Sequence, residues 1–128
     1  MRLRILLSLS LLAPSAVASR ADVPVQIGGE QELDACAALD VVTLRTGRLA
    51  VRSGPGTRFR VLDRLPRGQH VYSCAVDPAG SDWVGVVYAP GKDSPDCGVS
   101  TPVAPRRTYD GPCKSGWVHT RWLSVIAG

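Results

Sequence analysis

The chain has 128 residues, 45% of them hydrophobic and 20% charged, with four cysteines and a formal net charge of +4. That length suits one domain rather than two. The charge is too small to imply a nucleic-acid partner by itself, and no internal repeat or low-complexity tract is present.

The N-terminus opens with a basic head, Met1-Arg2-Leu3-Arg4, followed by an apolar run over residues 5–13 broken only by Ser8 and Ser10. Pro14 and the small residues Ser15-Ala16-Val17-Ala18 come next. This is the layout of a secretory signal peptide over residues 1–18, with cleavage expected after Ala18 and Ala21 as the alternative. Nine mainly apolar residues fall well short of the roughly 20 that span a bilayer as a helix, so no membrane span is expected. Loss of Arg2 and Arg4 with the leader takes 15 basic residues to 13 against 11 acidic, a net of +2.

Residues 19–46 form an N-terminal extension that carries Asp22, Glu30, Glu32, Asp34 and Asp40. Within it, the spacing of Leu33, Ala37 and Val41 allows one short helix between Glu30 and Val42. Seven arginines follow from Arg45 to Arg67, interrupted only by Asp63. They read as a solvated face of strand residues or as an anion-seeking surface. Turn chemistry then recurs at Ser53-Gly54-Pro55-Gly56, Pro66-Arg67-Gly68, Asp77-Pro78-Ala79-Gly80 and Lys114-Ser115-Gly116. Strand-length pieces rich in β-branched and aromatic residues lie between: 49–52, 61–65, 71–76, 83–88 and 117–119. Short strands with Gly/Pro turns predict an all-β fold.

Cys36, Cys74, Cys97 and Cys113 give the even count of a disulfide framework in an exported chain. They contain no close pair, about two to four residues apart, of the kind zinc sites use, so no metal is expected. Three pairings are open. His70 and His119 are the only histidines, and both read as structural. No nucleophile elbow, zinc helix or cofactor motif appears, and four paired cysteines leave no thiolate for a Cys-His hydrolase. Asp93 and Asp96 lie in a proline-rich loop and read as solvating. A non-enzyme is expected, with no catalytic residue and no cofactor.

The run Leu49-Ala50-Val51-Arg52-Ser53-Gly54-Pro55-Gly56-Thr57-Arg58-Phe59 resembles the signature of bacterial SH3-like domains, usually L-N-V-R-x-G-P-G-x-x-aromatic. The resemblance continues in order through Val61-Leu62, Leu65-Pro66-Arg67-Gly68, 71–73, 83–86, Gly116-Trp117-Val118 and Trp122-Leu123-Ser124. It implies a small SH3-like β-barrel over residues 47–126. Val51, Val61, Leu65 and Val71 would supply the inward face, and Trp117 would fill the barrel. Ala50 departs from the usual Asn, which puts a ligand role at position 50 in doubt. A second departure is the long excursion 89–115, with five prolines, where such domains have a short hairpin. The chain is also similar to small exported proteins that carry C-G-V-S-x-P and G-P-C-x-S-G-W-V, here Cys97-Gly98-Val99-Ser100-Thr101-Pro102 and residues 111–118.

On that fold, Cys97 and Cys113 bracket the excursion and should close it as one loop. Cys36 then pairs with Cys74 and fastens the extension across the barrel. The family resemblance implies a binding module that recognises peptidoglycan peptides in the periplasm or outside the cell. An aromatic shelf of Phe59, Trp83 and Tyr109 is expected, with Arg58 and Arg106 pairing with peptide carboxylates. Loop positions favour exposure of Phe59 and Tyr109. The alternative is a protein-interaction module, an inhibitor or accessory subunit that docks an exported enzyme through the clamped excursion.

Overall fold

The computed structural model describes residues 8–13, 20–91 and 96–128. Most of the expected leader, including the position after Ala18, lies outside the described residues. The elements in chain order are β1 (Gln26–Ile27), β2 (Ala38–Val42), β3 (Leu49–Arg52), β4 (Val61–Leu65), β5 (His70–Val76), β6 (Trp83–Tyr88), β7 (Arg107–Thr108) and β8 (Lys114–His119). A 3-10 turn at Thr120–Trp122 leads into β9 (Leu123–Ala127). No α-helix occurs among the described residues, and none of their helical turns is long and apolar enough to cross a membrane.

Seven strands form one antiparallel sheet in the order β4-β3-β8-β6-β5-β2-β9, and β1 pairs with β7 in a separate two-stranded ladder. Three strands separate β4 from β5, so in a flat sheet they would stand about 19 Å apart at the usual strand spacing. Yet only residues 66–69 join them, and these make a turn closed by the Gln69 amide on the Pro66 carbonyl at 3.2 Å. The sheet must therefore curl until its β4 end approaches the start of β5. The same turn is stitched to β2, because Val42 exchanges backbone hydrogen bonds with Gly68 and Gln69 at 2.9 Å each. The curl does not close into a hydrogen-bonded barrel: β4 and β9 end the ladder, and no pairing joins them among the described residues.

The curl encloses one apolar core. Leu49 and Val51 from β3, Leu65 from β4, Val71 from β5, Val84, Val86 and Tyr88 from β6, and Val118 from β8 meet there with Val42 of β2. Strand alternation decides who enters. On β8, Gly116 and Val118 point inward while Trp117 points out. A Cβ on Gly116 would stand 2.4 Å from Val51 Cγ1, so only glycine fits that crossing. Trp117 is buried as expected, but on the opposite face from the one expected. It packs with Val25 and Ala75 beneath the N-terminal segment, and its indole Nε1 donates to the Val23 carbonyl at 2.8 Å. Val61, expected to face inward, is 37% exposed because β4 is an edge strand whose pairing with β3 shifts register after Val51.

The outer face of the sheet is covered by the extension and the excursion together. Val25 and Ile27 lie buried against it, and Gly85 makes room, since a Cβ there would meet Val25 Cγ1 at 3.0 Å. Backbone bonds tie the two segments to each other: Gly29 to Val103, Ala35 to Thr101, Cys36 to Val99 and Tyr109 to Val25, all between 2.8 and 3.2 Å. Buried between them and the sheet are Ile27, Ala35, Val87 and Val99. Cys36 is bonded to Cys74, and Cys97 to Cys113. Two uncrossed disulfides thus anchor segments that hold each other by main-chain hydrogen bonds.

The short helix expected between Glu30 and Val42 is not formed. Leu33 is 62% exposed, and Ala38–Val42 is instead a strand between β5 and β9 with Asp40 and Val42 buried. The four-residue apolar spacing was coincidental. Cross-strand pairing of Ala38 with Ser73, beside the Cys36–Cys74 bond, overrides it.

Candidate functional site

The expected aromatic shelf is not assembled: Tyr109 and Trp83 belong to different apolar clusters, and Phe59 packs on its own loop. Phe59 is buried, its ring lying where a Cβ on Gly54 would stand, 2.3 Å from Cδ1. The two glycines of the Gly54-Pro55-Gly56 loop leave that space, which is why a loop position is covered. Tyr109 is buried inside the loop closed by Cys97 and Cys113. Its hydroxyl donates to the Cys97 carbonyl at 2.8 Å and accepts from the Cys113 amide at 3.0 Å, so both hydrogen-bonding roles are filled within the fold. The exposure expected of Phe59 and Tyr109 is thereby corrected. Arg58 is exposed on the loop beside Phe59, and Arg106 is exposed in the outer layer, packed on Gly29.

Trp83 alone of the three remains partly open, and it lines a groove. At the start of β6 its ring meets the edge of His119, with centroids 5.6 Å apart and planes at 72°. His119 ends β8 directly across from Trp83 in register, so antiparallel pairing places the two side chains together. The His119 Nδ1 accepts from the Arg121 amide at 3.2 Å, which caps the 3-10 turn and turns Arg121 and Trp122 toward the same side. The Arg121 guanidinium lies 5.0 Å over the Trp122 ring.

Trp83, His119 and Trp122 line this groove of about 250 Å³ together with Arg48, Ala50 and Arg52. Arg52 is fixed by its Nη1, which donates to the carbonyls of Thr57 at 3.1 Å and Phe59 at 2.9 Å. Among the described residues, three guanidiniums and no carboxylate line the groove. The arrangement combines flat apolar faces for a ligand's stem with paired donors for an anion. Ala50, where the family signature usually has Asn, is among the lining residues.

Of the groove's lining residues, only Trp83 is singled out by sequence as a site residue: Trp122 reads there as part of a closing strand motif and His119 as structural. The available signal was the clustering of Trp, His and Arg at residues 117–122, a density of ring and guanidinium groups that strand packing alone does not need.

A larger concavity, about 510 Å³, lies over the Cys36–Cys74 bond. Its polar rim is Glu30, Glu32 and Asp34, and it presents no cation and no aromatic ring. No three His, Cys, Asp or Glu side chains among the described residues converge on a metal position.

Two ion pairs hold the surrounding frame. Arg60 grips Asp22 through Nε at 3.2 Å and Nη2 at 2.7 Å, and this pairing holds the Asp22 carboxyl below its ordinary range. On the sheet, burial opposes ionisation of Asp63. The Arg64 amide, the Tyr88 hydroxyl and the Lys114 ammonium outweigh that and keep its carboxyl below the usual value. Burial first, and then the Asp63 carboxylate, push the Tyr88 phenol well above its ordinary value. The chain has no match among known protein families, curated proteins or solved structures.

Proposed function

We propose that this is an exported, non-enzymatic SH3-like binding module acting in the periplasm or outside the cell, and that its groove takes the carboxylate-bearing peptides of the cell wall. The observation that carries the reading is the convergence of Trp83, His119 and Trp122 with Arg48, Arg52 and Arg121 in one carboxylate-free groove. An apolar peptide stem would lie on the tryptophans and its carboxylates would meet the guanidiniums, where charge-assisted bonds are strongest. The curled antiparallel sheet and the Gly54/Phe59 loop support the SH3-like part, since that loop is where the family signature falls. Two disulfides suit an oxidising compartment. Leu9, Leu11 and Leu12 are exposed and join none of the cores, as a removable leader requires.

Retention on purified sacculi in moderate salt tests this function. The protein should bind, and Arg48→Glu with Arg121→Glu should abolish binding; an unretained wild-type protein would sink it. The alternative, an inhibitor or accessory subunit, draws on the exposed Arg106 and Arg107 held on the clamped excursion. A stoichiometric protein partner that excess wall fragments do not displace would favour it.

A further inference from the structure

The groove has a direction, and strand register sets it. Ala50 of β3 pairs with Arg64 of β4, and Trp83 of β6 pairs with His119 of β8. β3 and β8 are neighbours through the Arg52–Trp117 pair, and two residues along each antiparallel strand from that pair come Ala50 and His119. Side chains alternate faces along a strand, so Arg64, Ala50, His119 and Trp83 form one row across four adjacent strands on the outer face. The shift in the β3–β4 ladder comes from Leu62, the extra residue between Val61 and Asp63, and the Ala50–Arg64 pairing is regular. Three strand spacings make the row about 14 Å long.

Ala50, His119 and Trp83 line the groove, and Arg64 stands at the β4 end of their row. Directly opposed side chains on neighbouring strands have Cβ atoms about 5 Å apart, and Ala50 ends at its Cβ, so the long Arg64 side chain borders the groove. Arg64 is exposed, and its guanidinium makes no ion pair among the described residues. Arg52, by contrast, is tied through Nη1 to the Thr57 and Phe59 carbonyls. Asp63 alternates to the other face, where the Tyr88 hydroxyl engages it, and so leaves Arg64 uncompensated. We propose that Arg64 is a further ligand-binding residue and that the ligand lies across the strands, one carboxylate at Arg64 and another at Arg121 beyond β8. The groove then selects peptides with two separated carboxylates over those with one. This selectivity rests on the proposed function, since it names which wall peptides the groove takes.

Fluorescence titration of the full chain with synthetic γ-D-glutamyl-L-lysine, which carries two carboxylates, and with its two mono-amides tests the proposal. Wild-type protein should bind the dipeptide and lose about fivefold in affinity with either amide, near the upper range for one exposed ion pair. Arg64→Gln should lose about fivefold for the dipeptide and should no longer respond to one of the two amides. Arg67→Gln, at an exposed position in the turn after β4, should bind as the wild type does. Near-ultraviolet circular dichroism confirms that both variants are folded. Arg64→Gln protein that binds the dipeptide as tightly as wild type, or that still responds to both amides, overturns the proposal. Wild-type protein retained on sacculi but blind to the dipeptide overturns it too, and leaves the proposed function standing. Binding to neither sinks both.

Discussion

The Tyr88 hydroxyl donates to the Asp63 carboxylate at 2.9 Å, bridging β6 and β4 although two other strands separate them in the sheet. This bond spans the curl and fixes its mouth. Tyr88→Phe should cost about 1.5 kcal/mol at neutral pH, the low end for bonds to charged groups because Asp63 is partly exposed. The pH dependence follows from the two directions. The lowered Asp63 carboxyl contributes stability that is present above its unfolded pKa, near 4, and lost as pH falls through its folded one. The raised Tyr88 phenol contributes stability present below about pH 10 and lost as pH rises above it. Urea unfolding of Tyr88→Phe should therefore show a smaller alkaline loss than the wild type.

Each disulfide should contribute according to the chain it closes. The chain-entropy account gives about 3 kcal/mol for the 16-residue separation of Cys97 and Cys113 and about 4 kcal/mol for the 38 residues between Cys36 and Cys74. Reduction should lower the melting temperature by more than about 10 °C in a domain this small. Calorimetry with and without a thiol reductant measures it, and non-reducing peptide mapping should recover only the 36–74 and 97–113 links.

Glycines at close approaches should resist the smallest change. Gly116→Ala forces a methyl against Val51 and the Arg52 carbonyl, and Gly54→Ala against the Phe59 ring. Each should destabilise by about 1–3 kcal/mol in denaturant titration, as overpacking does. Phe59→Ala should instead leave a cavity and cost about 3 kcal/mol or more.

Much of the sheet was legible because its signals are local. The strands 49–52, 61–65 and 83–88 stand where β-branched runs lie between Gly/Pro turns, and the cysteine pairing followed from where the excursion leaves and rejoins the domain. What escaped depends on contacts distant in sequence. β2 carries an apolar spacing that suits a helix, and only its place between β5 and β9 makes it a strand. β1 and β7 have two residues each, too few for any period to show. Phe59 and Tyr109 sit in loops, and their burial comes from Gly54 and from the Cys97–Cys113 closure, neither of which marks an aromatic as covered. The groove forms where Trp83 and His119 meet in register across 36 residues, a relation that no local pattern carries.

The groove should follow electrostatics as well as shape. Raising salt should weaken wall-fragment binding, since Arg48 and Arg121 are exposed and their charges are screened within about 8–10 Å. Trp83→Ala and Trp122→Ala should each reduce affinity by about tenfold. Both rings also pack against the cores, so each variant should lower the melting temperature as well. Affinity is therefore compared by fluorescence titration under conditions where thermal unfolding shows the variant folded.

Titration of isotope-labelled protein with soluble wall peptides is the most direct measurement of where binding occurs. The resonances of Trp83, His119, Arg121 and Trp122 should move together and saturate at one midpoint, while Phe59 and Tyr109 stay still. No shift at any peptide concentration, or shifts confined to Arg106, Arg107 and the clamped excursion, would contradict the groove as the binding site.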